Sequence, residues 1–156
     1  MLFPYLPRYF SFWQPLSCQV LTHLCPSVRD TYSFDLVDYR GFLPTGSLQK
    51  ELGDCFGLLM TPRWVEAFGN GAIEAFACGV PVIAYHRGGL VEIIEEGKTG
   101  FLVEPDSIEG LVTGIKKLDR IDRSFCRAVV EQKYSLEALG NRAINWFEEI
   151  FARSQK

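Results

Sequence analysis

The sequence predicts an α/β domain, a Rossmann-like parallel sheet flanked by helices, with a helical C-terminus. Two observations carry this. Short runs that are apolar on both faces, GLLM at 57–60, PVIAY at 81–85 and FLV at 101–103, alternate with helical segments, which is the pattern of parallel strands buried between helix layers. Beyond residue 106 apolar residues recur at three- and four-residue intervals, so the last third is helical.

The elements follow in order. Residues 1–30 stand apart from a domain over 31–156. Residues 1–28 hold six aromatics, four prolines and a single charge, Arg8, and fit neither the strand nor the helix period. Pro4, Pro7 and Pro15 interrupt any spanning helix, for which about 18 consecutive apolar residues are needed, and the marks of a signal peptide are missing. Three readings stay open for this arm. It packs irregularly on the domain, it is foreign to the fold, or it makes peripheral membrane contact, which would place the protein at the inner face of a membrane. Val37 to Phe42 reads as a short strand, and Thr45 or Ser47 as the cap of a helix through Leu48 and Leu52. GLVEII at 89–94 reads as a short helix, and Gly97 and Gly100 bracket the turn into FLV. Asp106 or Ser107 caps a helix carrying Ile108, Leu111, Val112, Ile115 and Leu118 on one stripe. Two further helices, Ser124 to Tyr134 and Leu136 to Phe151, repeat the period, the last with Ile144, Phe147 and Phe151 beside charged residues. All these stripes are expected to pack on the sheet as core.

Composition bounds the function. The chain has 156 residues, 47% apolar and 22% charged, which suits one globular domain. A net charge of −3 with scattered Lys and Arg argues against a nucleic-acid partner, which requires a basic face. Cys18, Cys25, Cys55, Cys78 and Cys126 are odd in number and irregularly spaced, with only His23 and His86 as further soft ligands. Neither a zinc site nor a disulfide framework is expected, and the thiols read as those of a cytoplasmic protein.

The stretch RWVEAFGNGAIEAFACGVPVIAYHRGGL, residues 63–90, carries the chemistry. Asn70 reads as the N-cap of a two-turn helix, Gly71 to Cys78, which Gly79 ends in a left-handed conformation. This helix starts beyond the carboxyl end of the GLLM strand, where open parallel sheets bind ligands. Backbone amides of Phe68, Gly69, Asn70, Gly71 and Ala72, unobstructed where glycine lacks a side chain, form a seat for a phosphate or sugar oxygen. Glu74, one turn into the helix, is placed to hold a vicinal diol, and Glu66, in the preceding loop, to face the group attached to the phosphate. A purely structural reading of the same residues has Glu66 capping the helix dipole and Glu74 solvated.

As a set these residues resemble the family-4 glycosyltransferases, retaining enzymes of the GT-B architecture, in the C-terminal half that binds the nucleotide sugar. The family signature is Glu, seven residues, Glu with Phe-Gly inside, matched by Glu66, Phe68-Gly69, Glu74-Ala75, Ala77, Gly79 and Pro81-Val82-Ile83-Ala84. Gly88-Gly89, Glu92-Ile93, Gly97, Thr99 to Val103 and Pro105 match the next signature, and the resemblance covers about residues 37–150. It implies a donor site: Glu66 as the catalytic position beside the transferred sugar, Phe68, Gly69, Asn70 and Gly71 toward sugar and diphosphate, and Glu74 on the ribose. It implies no metal and no cofactor besides the nucleotide-sugar donor.

The departures from the family shape the expected function. The family joins two Rossmann-like domains of about 150 to 200 residues each around a cleft. An acceptor domain or partner chain is therefore expected to be needed for transfer. The domain reads as incomplete at its N-terminal side, where the family carries an Arg and a Lys that grip the diphosphate. Phe76 is larger than the usual residue, and Val91 stands where proline is common. Two functions follow: a donor-binding domain of a sugar-transferring enzyme, with autonomous activity in question, or a non-catalytic remnant that binds nucleotide sugar.

Overall fold

The computed structural model describes residue 40 and residues 42–154. The arm at 1–30 lies outside them, as does the strand expected over 37–42 apart from Arg40 and Phe42, neither of which is in a strand. The elements are α1 (Thr45–Asp54), β1 (Leu58–Met60), α2 (Asn70–Ala77), β2 (Val82–Tyr85), α3 (Leu90–Ile93), β3 (Gly100–Val103), α4 (Ile108–Ile115), a 3-10 turn at Leu118–Arg120, α5 (Arg123–Lys133) and α6 (Leu136–Ser154).

The three strands are parallel in the order β1-β2-β3, with Leu59 opposite Ile83 and Ile83 opposite Phe101. Every residue of the central strand is buried. Because side chains alternate across a strand, Val82 and Ala84 share one face and Ile83 takes the other. Val82 and Ala84 join the main core with Phe76, Leu90, Ile121 and Cys126, on the side of α2 and α5. On the other face α4 comes so close that a Cβ at Gly114 would lie 3.2 Å from Ile83 Cγ2. The result is the expected α/β arrangement, a parallel sheet between helix layers. Burial within it pushes the Cys126 thiol up to about 11.

The helix starts correct the sequence reading in two places. Pro44, not Thr45 or Ser47, is the N-cap of α1 and makes no side-chain cap; its ring pre-sets the backbone for helix entry. Gly69, not Asn70, is the N-cap of α2, and Asn70 is the first helical residue. Two other helix ends fall where expected. Ser107 caps α4 by accepting from Gly110 N–H at 3.0 Å, and Gly79 ends α2 with φ 70°.

The stripes expected as core divide. On α4 only Gly114 is buried; Ile108, Val112 and Ile115 are exposed, and Leu118 reaches the core from the 3-10 turn after the helix ends. On α6 no residue is buried, and Ile144, Phe147 and Phe151 are exposed. The helical period fixes a face but not what lies against it, and α6 packs mainly on α5, away from the sheet.

Arg123 fastens the amino-terminal edge of the sheet. Its Nε donates to Gly79 O at 2.7 Å, Nη1 to Cys55 O at 2.9 Å and Nη2 to Gly53 O at 2.7 Å, so one guanidinium joins the end of α1 to the turn after α2. Arg127 adds a bond to Ala77 O at 2.9 Å. Arg123→Ala is expected to cost about 2 kcal/mol, and Arg123→Lys most of that, because an ammonium cannot span three carbonyls in the guanidinium's fork geometry. Urea unfolding of the two variants measures this; a lysine variant as stable as the parent would contradict the three-point role.

Candidate functional site

Three loops meet beyond the carboxyl ends of the strands: 61–69 after β1, 86–89 after β2 and 104–107 after β3. The first leads into α2, whose opening turn lies against the last residue of β1; a Cβ on Gly71 would be 3.5 Å from Met60 Cε. This is the crevice where open parallel sheets hold ligands.

The turn into α2 depends on glycine for a steric reason. Gly69 has φ 92°, a left-handed conformation, and a Cβ there would lie 2.7 Å from Leu90 Cδ2, a side chain with no exposed surface. Gly88 and Gly89 permit the second close approach. Gly89 N–H donates to Glu66 O at 2.7 Å, and a Cβ on Gly89 would lie 2.6 Å from Ala67 O. The backbone of the 86–89 loop is thus pressed against residues 66–68.

Glu66, Phe68, Gly69, Asn70 and Gly71 are brought together by this loop, and Glu74 follows one turn along α2, on the same helix face as Asn70. The Glu66 carboxylate is turned into its own loop. Oε1 accepts from Gly69 N–H at 3.3 Å and Oε2 from the Trp64 indole N–H at 3.2 Å. Glu74 is half-buried, not solvated. The Phe68 ring stands edge-to-face on Tyr134 with centroids 6.4 Å apart.

The seat expected from Phe68 to Ala72 is narrower than the sequence implied. Gly69 N–H is taken by Glu66, and Ala72 N–H donates to Gly69 O at 3.0 Å. The amides of Asn70 and Gly71 make no hydrogen bond to a described residue, as befits the first turn of a helix. Those two donors, with the partial positive charge of the helix N-terminus, can receive anionic oxygens.

Sequence reasoning passed over Arg87. Its Nη1 donates to Pro62 O at 3.0 Å, and its Nη2 lies 3.6 Å from Asp106 Oδ2, so this one side chain touches all three loops. The available signal was its place two residues after a buried strand, at the carboxyl edge. Among the described residues no three His, Cys, Asp or Glu side chains cluster as metal ligands, and no helix is long and apolar enough to cross a membrane.

Comparison with known proteins gives a consistent family. Residues 35–135 match the family described as glycosyl transferases group 1. A sucrose synthase of Solanum tuberosum is 29% identical over 109 residues, covering 64% of this chain and 14% of its own length. A sucrose synthase of Denitrovibrio acetiphilus is 44% identical over 62 residues, covering 40% of this chain and 8% of that protein. The chain therefore spans a small part of these relatives. Among solved structures, Anabaena HepE in complex with UDP and glucose superposes with a TM-score of 0.62 at 24% identity, over 72% of this chain and 32% of HepE. HepE in complex with UDP-glucose gives 0.56 at the same identity, over 64% and 29%. These superpositions agree on the fold.

Proposed function

The chain belongs to the group 1 glycosyl transferases, and from that premise we propose that it binds a nucleotide-sugar donor for transfer with retention, once joined to an acceptor-binding domain. The observation that carries this reading is the Glu66 loop. It lies at the start of α2, at the carboxyl edge of a parallel sheet, and Gly88 and Gly89 hold it in close backbone contact. That HepE has been solved with UDP and with UDP-glucose supports a uridine nucleotide as the first donor to test.

In this proposal the amides of Asn70 and Gly71 receive diphosphate oxygens, and Gly69 and Gly71 let the donor approach the backbone closely. Phe68 lines the sugar side. Glu66 faces the transferred sugar, exchanging its bonds to Trp64 and Gly69 for sugar hydroxyls as the donor enters. Glu74, half-buried on the same helix face as Asn70, accepts from the ribose hydroxyls. The helix N-terminus offsets part of the charge that builds on the leaving diphosphate, at about half an elementary charge. No metal and no cofactor are proposed. Because the chain spans 14% of the potato relative, turnover is proposed for the joined domains and not for this chain alone.

Calorimetry of the full chain with UDP, UDP-glucose and ADP-glucose tests the reading. Glu74→Ala is expected to weaken nucleotide binding by roughly ten- to a hundredfold, the worth of a charge-assisted hydrogen bond of about 1.5 to 3 kcal/mol. Binding that does not respond to Glu74→Ala would remove the ribose site.

A further inference from the structure

The geometry points to Arg87 as the positioning residue of the Glu66 loop, with Asp106 as the counter-ion that orients its guanidinium. The segment from Pro62 to Glu66 is held at two carbonyls by the neighbouring loop. Arg87 Nη1 takes Pro62 O at 3.0 Å, and Gly89 N–H takes Glu66 O at 2.7 Å. Between these two points stand Arg63, Trp64 and Val65, all exposed and without core packing of their own. Pro62 is buried at one end, and the polar contacts to 87–89 fix the course of the loop, within which the Glu66 carboxylate is held by Trp64 and Gly69. Of the two clamps the Arg87 bond is made by a side chain, so it alone can be removed without moving backbone.

Two features of Arg87 fit this role. Its side chain is 23% accessible, so its bond to Pro62 is shielded from competing water. Its other terminal nitrogen lies 3.6 Å from Asp106, a residue at φ 64° in the loop after β3. Asp is among the few side chains that adopt this conformation readily, and its carboxylate, 72% exposed, is the lesser of the two contacts. One cation thereby ties the loop that carries Glu66 to the ends of both neighbouring strands. In this assignment it acts on a donor through Glu66.

The test uses the full chain with ¹⁵N labelling and the variants Arg87→Met, Arg87→Lys and Asp106→Asn. The Trp64 indole N–H, which donates to Glu66, reports the loop; it is assigned with Trp64→Phe. In Arg87→Met that resonance is expected to move, and exchange of the Gly69 and Gly89 amides to rise about tenfold, while the amides of Val82–Tyr85 keep their protection. Arg87→Lys, which can still donate to Pro62 O, shows a smaller change than Arg87→Met, and Asp106→Asn shifts Trp64 in the same direction by less. An unmoved Trp64 signal, or exchange that rises equally throughout β2, overturns the assignment. Should Arg87→Met fail to fold, Arg87→Gln, which keeps part of the stem and loses the guanidinium, decides by the same signal. A second arm rests on the donor reading above: Arg87→Met weakens UDP-glucose more than UDP, since Glu66 faces the sugar. If the unaltered chain binds neither, that reading fails while the amide exchange still judges Arg87.

Discussion

Phe76→Ala is expected to lower the stability of the domain by about 3 to 5 kcal/mol, with a fall in melting midpoint of roughly 10 °C. The Phe76 side chain has no exposed surface and sits in the main core, where α2 meets the Val82 and Ala84 face of β2 and α5. Its removal leaves a cavity that α2 cannot close, because that helix is fixed at both ends. Gly69 lies against Leu90 at the start, and Arg127 holds Ala77 O at the end. The matched change on α6, Phe147→Ala, is expected to cost no more than about 0.5 kcal/mol, since that ring is 53% exposed. Urea unfolding of the pair decides the matter. Equal losses would mean that α6 carries core in the chain as it exists in solution.

That contrast marks where the sequence could be read and where it could not. Strands and helices were legible because their signals are local: β2 is apolar on both faces, and α2 runs between two glycines. The grouping of Glu66 with Asn70 and Glu74 was legible for the same reason, since one loop and one turn of helix hold all three. The α6 stripe was misread because periodicity reports a face, and Ile144, Phe147 and Phe151 present that face without packing on the sheet. Asn70 was misread as a cap because Gly69 takes the left-handed turn into α2, with φ 92°, so the helix begins one residue earlier than the side-chain preference for a cap suggests. Arg87 was invisible for a different reason. It is one of sixteen basic residues until parallel pairing brings residues 62, 87 and 106 to a common edge.

Gly88→Ala is expected to disrupt both the fold around the site and donor binding. Gly88 has φ 63°, where an alanine pays roughly 1 kcal/mol for its Cβ against its own backbone. A Cβ there would also overlap the carbonyl oxygen of Glu66 and lie 2.9 Å from its amide nitrogen. Both are backbone atoms and cannot rotate aside, so the two loops must separate. Separation breaks the Gly89 to Glu66 hydrogen bond and moves the start of the loop that leads into α2. The combined loss is put at about 3 kcal/mol or more. Gly97→Ala is the control, because Gly97 has φ 71° with nothing within 4 Å of its would-be Cβ; it bears the conformational cost of about 1 kcal/mol and no collision. Unfolding of the two variants separates close approach from left-handed strain, and calorimetry with UDP-glucose reports the site. Gly88→Ala is expected to bind no donor, and Gly97→Ala to bind as the parent does. If the two variants lose the same stability, the contact between the 86–89 loop and residues 66–68 does not hold the site together.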